Sequence, residues 1–348
     1  MSRRLLCALA VLLAVAPLSA ESTRTLHATL SVNATTAFAV DNLAGTMSVV
    51  PGPGSEVTAV ATVHAENEEL ASRMRFDEVR GKDGRRTLRV IYNDAGQHVF
   101  RYPAAHGTSR VHYDGRRVEV SSNRGDLLWA EVVVQVPATK VDAIFRNMVG
   151  TLRAERLQGR LTMDTAGGDI KVSRLTGEVK ADSGSGDVDA EQLSGSFDCD
   201  TGSGDCTITG FDGDTLTLDT GSGDVTGRDL RADRVSADTG SGDVVLRDAD
   251  VQSFEGDTGS GGILLENSGD RLLKLDADTG SGDVTVRLPS DATFELRADT
   301  GSGDIGCGFS DAHPIAHGRE VVGWERGDRR TRIRADTGSG DVRVEPVR

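Results

Sequence analysis

Along most of this chain apolar residues recur at every second position, and the alternation breaks at the same kind of place each time. Leu273, Leu275, Ala277 and Thr279 lead into one break, and Val284, Val286 and Leu288 follow it. The same frame holds Val235, Ala237 and Thr239 before Val244 and Leu246, and Phe294, Leu296, Ala298 and Thr300 before Ile305 and Cys307. It also holds Phe197, Cys199 and Thr201 before Cys206 and Ile208. A period of two predicts strands with one buried face. In this frame each corner Thr points inward and the Asp beside it points outward.

The breaks share one sequence. Asp-Thr-Gly-Ser-Gly-Asp begins at Asp200, Asp219, Asp238, Asp278, Asp299 and Asp336, with near-copies at Asp164, Asp182 and Asp257. The intervals are 18, 18, 19, 19, 19, 21, 21 and 37 residues. A short motif on a near-constant interval is architecture before it is chemistry. Two short strands cannot bury a face alone, but copies stacked at about 4.8 Å form parallel ladders and a continuous core. The pattern therefore predicts an all-β, single-stranded parallel β-solenoid (a β-helix) of roughly 18–21-residue coils, two strands per coil. The glycines are expected to supply positive φ at the corner. The inward Thr residues are expected to bond the turn and to stack as a hydroxyl ladder.

Three further regions complete the organisation. Residues 1–20, with Arg3 and Arg4 before an apolar run too short to span a bilayer, read as a cleaved signal peptide. Residues 21–160 read as divergent β coils, among them "VDNLAGTMSV" and "RNMVGTLRA", with a loop or hairpin near 93–117 standing outside the core. Residues 161–348 are the regular array, with a similar insert near 308–330. The last strand, "DVRVEPVR", is expected to be the exposed end of the stack, blunted by Arg343, Glu345 and Pro346.

Short "G-x-V-x-V" strands, a "vP" strand end before an "N-x-x-G" coil and the terminal "tGSGDV" steps are similar to the bacterial putative-adhesin family of unknown function with β-strand repeats. The resemblance spans roughly residues 29–345. It implies an exported β-solenoid and supplies no active-site motif.

Composition narrows the partners. The net charge of −15 disfavours nucleic acid. No stretch after the leader is apolar enough for a transmembrane helix, so no membrane insertion is expected after signal cleavage. Three cysteines follow the leader: Cys199, Cys206 and Cys307. Cys199 and Cys206 are the nearest pair, and small core residues are the alternative reading.

Stacked corners put carboxylates in columns, where neighbours 4.8 Å apart repel by about 0.9 kcal/mol in bulk water. Backbone N–H groups of the corner are the expected compensation. Calcium is the alternative, with Asp205, Asp224, Asp243, Asp283 and Asp304 as candidate ligands and Gly262 as an interruption. No catalytic residue, cofactor site or committed metal set is assigned. The Gly-Ser-Gly corner lies between strands and is not a nucleophile elbow. His313 and His317, like His98, His106 and His112, read as loop residues. Trp129, Trp324, Tyr92, Tyr102 and Tyr113 are the few aromatic platforms a glycan-cleaving groove could use. The reading is an exported, non-enzymatic, monomeric structural or adhesin-like binding protein of the periplasm or cell surface, with an envelope protein or glycan as partner. A calcium-dependent binding module and a carbohydrate-active β-helix enzyme are the alternatives.

Overall fold

Each repeat of the chain pairs in register with the next, so that Asp200 lies beside Asp219, Asp219 beside Asp238 and Asp238 beside Asp257 in parallel ladders. The computed structural model describes residues 21–33, 36–81, 83–92, 96 and 98–347. The proposed leader and part of the segment near 93–117 lie outside the described residues. The fold is all-β with long parallel strands, and the one helix among the described residues is the short Glu68–Arg73.

The expected inward frame holds. Val235, Ala237, Val244 and Leu246 are buried, and Phe197, Phe254 and Phe294 supply bulk along a slim core. Asp219, Asp238 and Asp278 face solvent. Leu273 departs from the frame: it is 41 % exposed, and Leu272 is buried in its place. The strand that follows begins only at Lys274, so Leu273 belongs to the bend before it.

Two strands per coil were expected, yet Val188–Thr201, Cys206–Thr220, Val225–Thr239 and Val244–Thr258 each run unbroken from corner to corner. The second bend is made by one residue in the left-handed region: Arg156, Arg174, Gln192, Gly210, Asp229 and Asp248 in successive coils. That residue drops out of the ladder while its neighbours stay paired, as Thr209 does with Arg228 and Phe211 with Leu230. The step from an 18- to a 19-residue coil is absorbed beside it, where the register shifts between Gly195 and Ser196.

The order of the stack is not the order of the chain. Strand Thr331–Thr337 pairs with Lys274–Thr279 on one side and Phe294–Thr300 on the other. Strand Val342–Pro346 likewise lies between Val284–Leu288 and Ile305–Cys307. The last repeat in sequence is therefore an inner coil, which corrects the expectation that "DVRVEPVR" ends the stack. The insert near 308–330 carries the chain back. It forms a hairpin of His313–His317 and Glu320–Arg326, whose second strand pairs antiparallel with Phe294–Thr300 and covers part of the true end. Phe309 is buried and Trp324 packs on the core, so the insert is an end cap and not a loop outside the core.

The other end repeats the device. Ala37–Gly52 pairs with Val141–Val149 and Leu152–Glu155 on one flank, and with Arg86–Ile91 and Asp126–Pro137 on the other. Antiparallel strands Glu56–Ala65 and Ser22–Ser31 close this end. The described part of the segment near 93–117 also contributes to the core. Phe100, Tyr102 and Tyr113 are buried, and the Tyr113 hydroxyl donates to Val90 O at 2.7 Å.

Candidate functional site

The repeated corner is a closed hydrogen-bonding unit. Thr220 Oγ1 accepts the N–H of Gly223, three residues on, at 3.1 Å. It donates to Gly204 O of the preceding coil at 2.7 Å. Thr239, Thr258 and Thr279 repeat both bonds. The expected hydroxyl ladder thus runs through glycine carbonyls, and a direct hydroxyl contact joins only Thr165 and Ser183 among these described corners, at 3.2 Å.

The glycines are required by closeness rather than by torsion. None of Gly202, Gly204, Gly221, Gly223, Gly240 and Gly242 has a positive φ. A Cβ on Gly242 would stand 2.0 Å from Gly223 O, and one on Gly240 would stand 2.5 Å from Gly221 O. Among the described corner glycines positive φ occurs at Gly168, in the near-copy that begins at Asp164, so for the six named above the torsional reading is replaced by a steric one.

The Asp after the glycines forms a staircase between coils. Asp205 accepts the backbone N–H of Asp224 at 2.9 Å, Asp224 that of Asp243 at 2.9 Å and Asp243 that of Gly262 at 2.8 Å. Asp283 accepts from Asp341 at 2.8 Å, and Asp341 accepts from Asp304 on the end coil at 2.9 Å. All five calcium candidates therefore stand in one exposed column, in which each neighbouring coil supplies backbone donors. Asp187 and Asp341 belong to it as well, and their place in the repeat was the signal for them. Among the described residues no group of three or more His, Cys, Asp or Glu side chains is arranged to hold a metal.

The Asp before the Thr forms a different column. At its start the charges alternate: Arg89, Asp41, Arg146 and Asp164 are successive rungs, and Arg146 bridges both aspartates at 3.3 Å. Beyond them the rungs are all acidic. Lys180 lies 3.9 Å from Asp182, but Asp200, Asp219, Asp238, Asp257 and Asp278 have no hydrogen-bond or ion-pair partner among the described residues. Burial, and after it the Asp200 charge, push Asp182 above the usual aspartate range. Asp219 is raised by burial and then by Asp238, and Asp257 by burial and then by Asp238 and Asp278.

The remaining candidates are structural. Tyr92 donates to Ala44 O at 2.8 Å from a fully buried position, where burial raises its pKa. Trp129 stacks on His64 with ring centroids 3.9 Å apart. Trp324 donates to Ile305 O at 3.3 Å. His313 and His317 lie on a strand of the capping hairpin, not in a loop. His112 also lies on a strand, Thr108–Tyr113, while His98 and His106 are exposed outside strands. Cys199 and Cys206 are joined by a disulfide inside the core, and Cys307 is free.

Two of the concavities on the faces of the stack stand out by volume. One, of about 580 Å³, lies on the strands that follow the corners, where Lys171 pairs with Asp189. The other, of about 910 Å³, lies on the strands that precede them, at the capped end, and is lined by Lys274, Arg297, Arg329, Arg330, Arg332 and Arg334. Sequence reasoning passed over this second groove. Its signal was the basic run "RGDRRTRIR" at residues 326–334.

Residues 114–345, about two thirds of the chain, match the Toastrack DUF4097 family. The chain belongs to this family. The match is narrower than residues 29–345, the span of the resemblance read from the sequence, and it agrees with a family of unknown function. No curated protein matches the sequence. Three solved structures resemble this Toastrack chain. A putative cell adhesion protein from Clostridium sporogenes is 10 % identical, with 93 % of this chain and 100 % of that one covered and a TM-score of 0.18. A putative lipid binding protein from Parabacteroides distasonis is 12 % identical over 94 % and 97 %, with a TM-score of 0.43. A putative adhesin from Parabacteroides merdae is 14 % identical over 93 % and 97 %, with a TM-score of 0.38.

Proposed function

We propose that this Toastrack chain is an exported β-solenoid serving as a structural or adhesin-like binding element of the bacterial envelope, without catalysis. One observation carries the reading. The Thr, Gly and second Asp of the repeat are engaged by the neighbouring coil, so the recurring motif is spent on stacking and binding falls to the outward faces. A rigid stack that displays regular rows of side chains suits recognition of an extended partner. The buried Cys199–Cys206 disulfide supports an oxidising compartment.

The test is binding of the purified chain to isolated envelope polysaccharide and protein fractions, with release of new reducing ends followed in the same reactions. Saturable binding without release is expected. Release of reducing ends would establish the carbohydrate-active alternative instead. The calcium-dependent reading is kept for one reason, the unpartnered acidic rungs from Asp200 to Asp278, and is tested below.

A further inference from the structure

We propose that the arginine-lined groove at the capped end binds an acidic polysaccharide strand lying along the stack. The inference rests on the binding-element reading and deepens it by naming a ligand class.

The groove exists because of the order of the stack. Placing Thr331–Thr337 between two earlier strands sets Arg332 beside Lys274 and Glu295, and Arg334 beside Asp276 and Arg297. Like charges thus occupy neighbouring rungs, which is unfavourable in a ladder unless an anion lies over them. Several of these cations already have partners: Lys274 with Asp276, Arg297 with Glu295 at 2.9 Å, Arg329 with Glu325 at 2.5 Å and Arg334 with Asp336 at 2.8 Å. Arg330 and Arg332 are exposed and have none among the described residues. In a protein of net charge −15 a basic concentration of this kind is a local reversal of the field.

The rest of the lining selects among anions. Asp276, Glu295, Asp299 and Asp336 interleave with the cations and offer acceptors. A ligand that carries both anionic groups and hydroxyls uses both sets, whereas inorganic phosphate or a fatty acid uses only the cations. Of the apolar lining residues only Leu273 is exposed, at 41 %; Ala298 is half-buried and Ile333 is buried. That surface is enough to meet the C–H edge of a sugar ring and too little to seat an acyl chain. The rungs recur at about 4.8 Å, close to the rise of one sugar along an extended glycan. The volume of about 910 Å³ is that of a ligand site.

Fluorescein-labelled oligogalacturonate is the probe, titrated into the full chain at low and physiological ionic strength, with neutral dextran as control. Binding that weakens with salt is expected, with none to dextran. Arg330→Gln/Arg332→Gln should weaken it by about tenfold or more. Arg117→Gln, an exposed arginine on the strand Arg116–Ser121 away from the groove, should leave it unchanged. Arg330→Lys/Arg332→Lys should keep the salt dependence with partial affinity, which separates loss of charge from loss of fold. Equal affinity of wild type and the double glutamine variant overturns the proposal, as does binding to phosphatidylglycerol vesicles in preference to the oligosaccharide. Failure of wild type to bind, with no release of reducing ends, removes this ligand class and leaves the binding-element reading standing. Release of reducing ends removes both.

Discussion

Asp341 donates its backbone N–H to the carboxylate of Asp283, 58 residues earlier in the chain, at 2.8 Å. That bond is the staircase contact of every regular corner, made here between repeats that are not successive in sequence. It requires the repeat at Asp299 to stand outside the repeat at Asp336. The stack therefore ends where the hairpin covers it.

The two Asp columns should respond oppositely to mutation. Asp224→Ala leaves the Asp243 N–H without its acceptor and should lower stability by about 1 kcal/mol. Asp219→Asn removes a repelling charge and should raise the melting temperature at neutral pH. The Asp219 pKa is raised in the folded state, so the fold binds that proton more tightly than the unfolded chain does. Its contribution improves as pH falls through the raised value and is complete below the ordinary 3.8. The advantage of the Asn variant should therefore shrink on acidification. A pH series of melts in which the difference stays constant would contradict the repulsive column.

Gly242→Ala should cost on the order of 3 kcal/mol, since its Cβ would meet Gly223 O at 2.0 Å. Gly240→Val should likewise be severe, with 2.5 Å to Gly221 O, while Ser241→Ala at the exposed corner tip should be nearly silent. Chemical denaturation of the three variants side by side decides this, and equal midpoints would refute the steric role of the glycines.

Calcium should leave the melting temperature unchanged relative to chelator at matched ionic strength, because coil-to-coil N–H groups already serve the carboxylates of Asp205, Asp224, Asp243 and Asp283. A rise that saturates with calcium and not with magnesium would instead support the cation-binding module. Asp238→Asn, in the middle of the unpartnered rungs, should then reduce that rise.

Loss of the strand Glu320–Arg326 should expose the Phe294–Arg297 edge that it now pairs and add to the half-buried Ala298, Ile305 and Cys307. Unpaired strand edges template association. Light scattering of a chain whose hairpin is replaced by a short Gly-Ser link should show concentration-dependent growth that wild type lacks. Monodisperse behaviour of that variant would show that the hairpin is not a cap.

Much was legible in the chain itself. The alternation placed Val235, Ala237 and Val244 inward and Asp238 outward, because a strand has two faces and burial selects one of them. Repetition told which residues share a column, since an equal interval returns each side chain to the same position. Three things were decided only by tertiary structure. The need for Gly223 and Gly242 is set by the carbonyl of the coil beneath, which no local torsion reveals. The chemistry of an Asp depends on what the next coil presents to it: an N–H for Asp224, another carboxylate for Asp219. And the position of the last repeat between two earlier ones, with the basic groove it assembles from Lys274, Arg297 and Arg332, follows from which edge the chain reaches when its hairpin turns back. Nearly identical coils offer nearly identical edges, so sequence period specifies the shape of a rung but not its place in the stack.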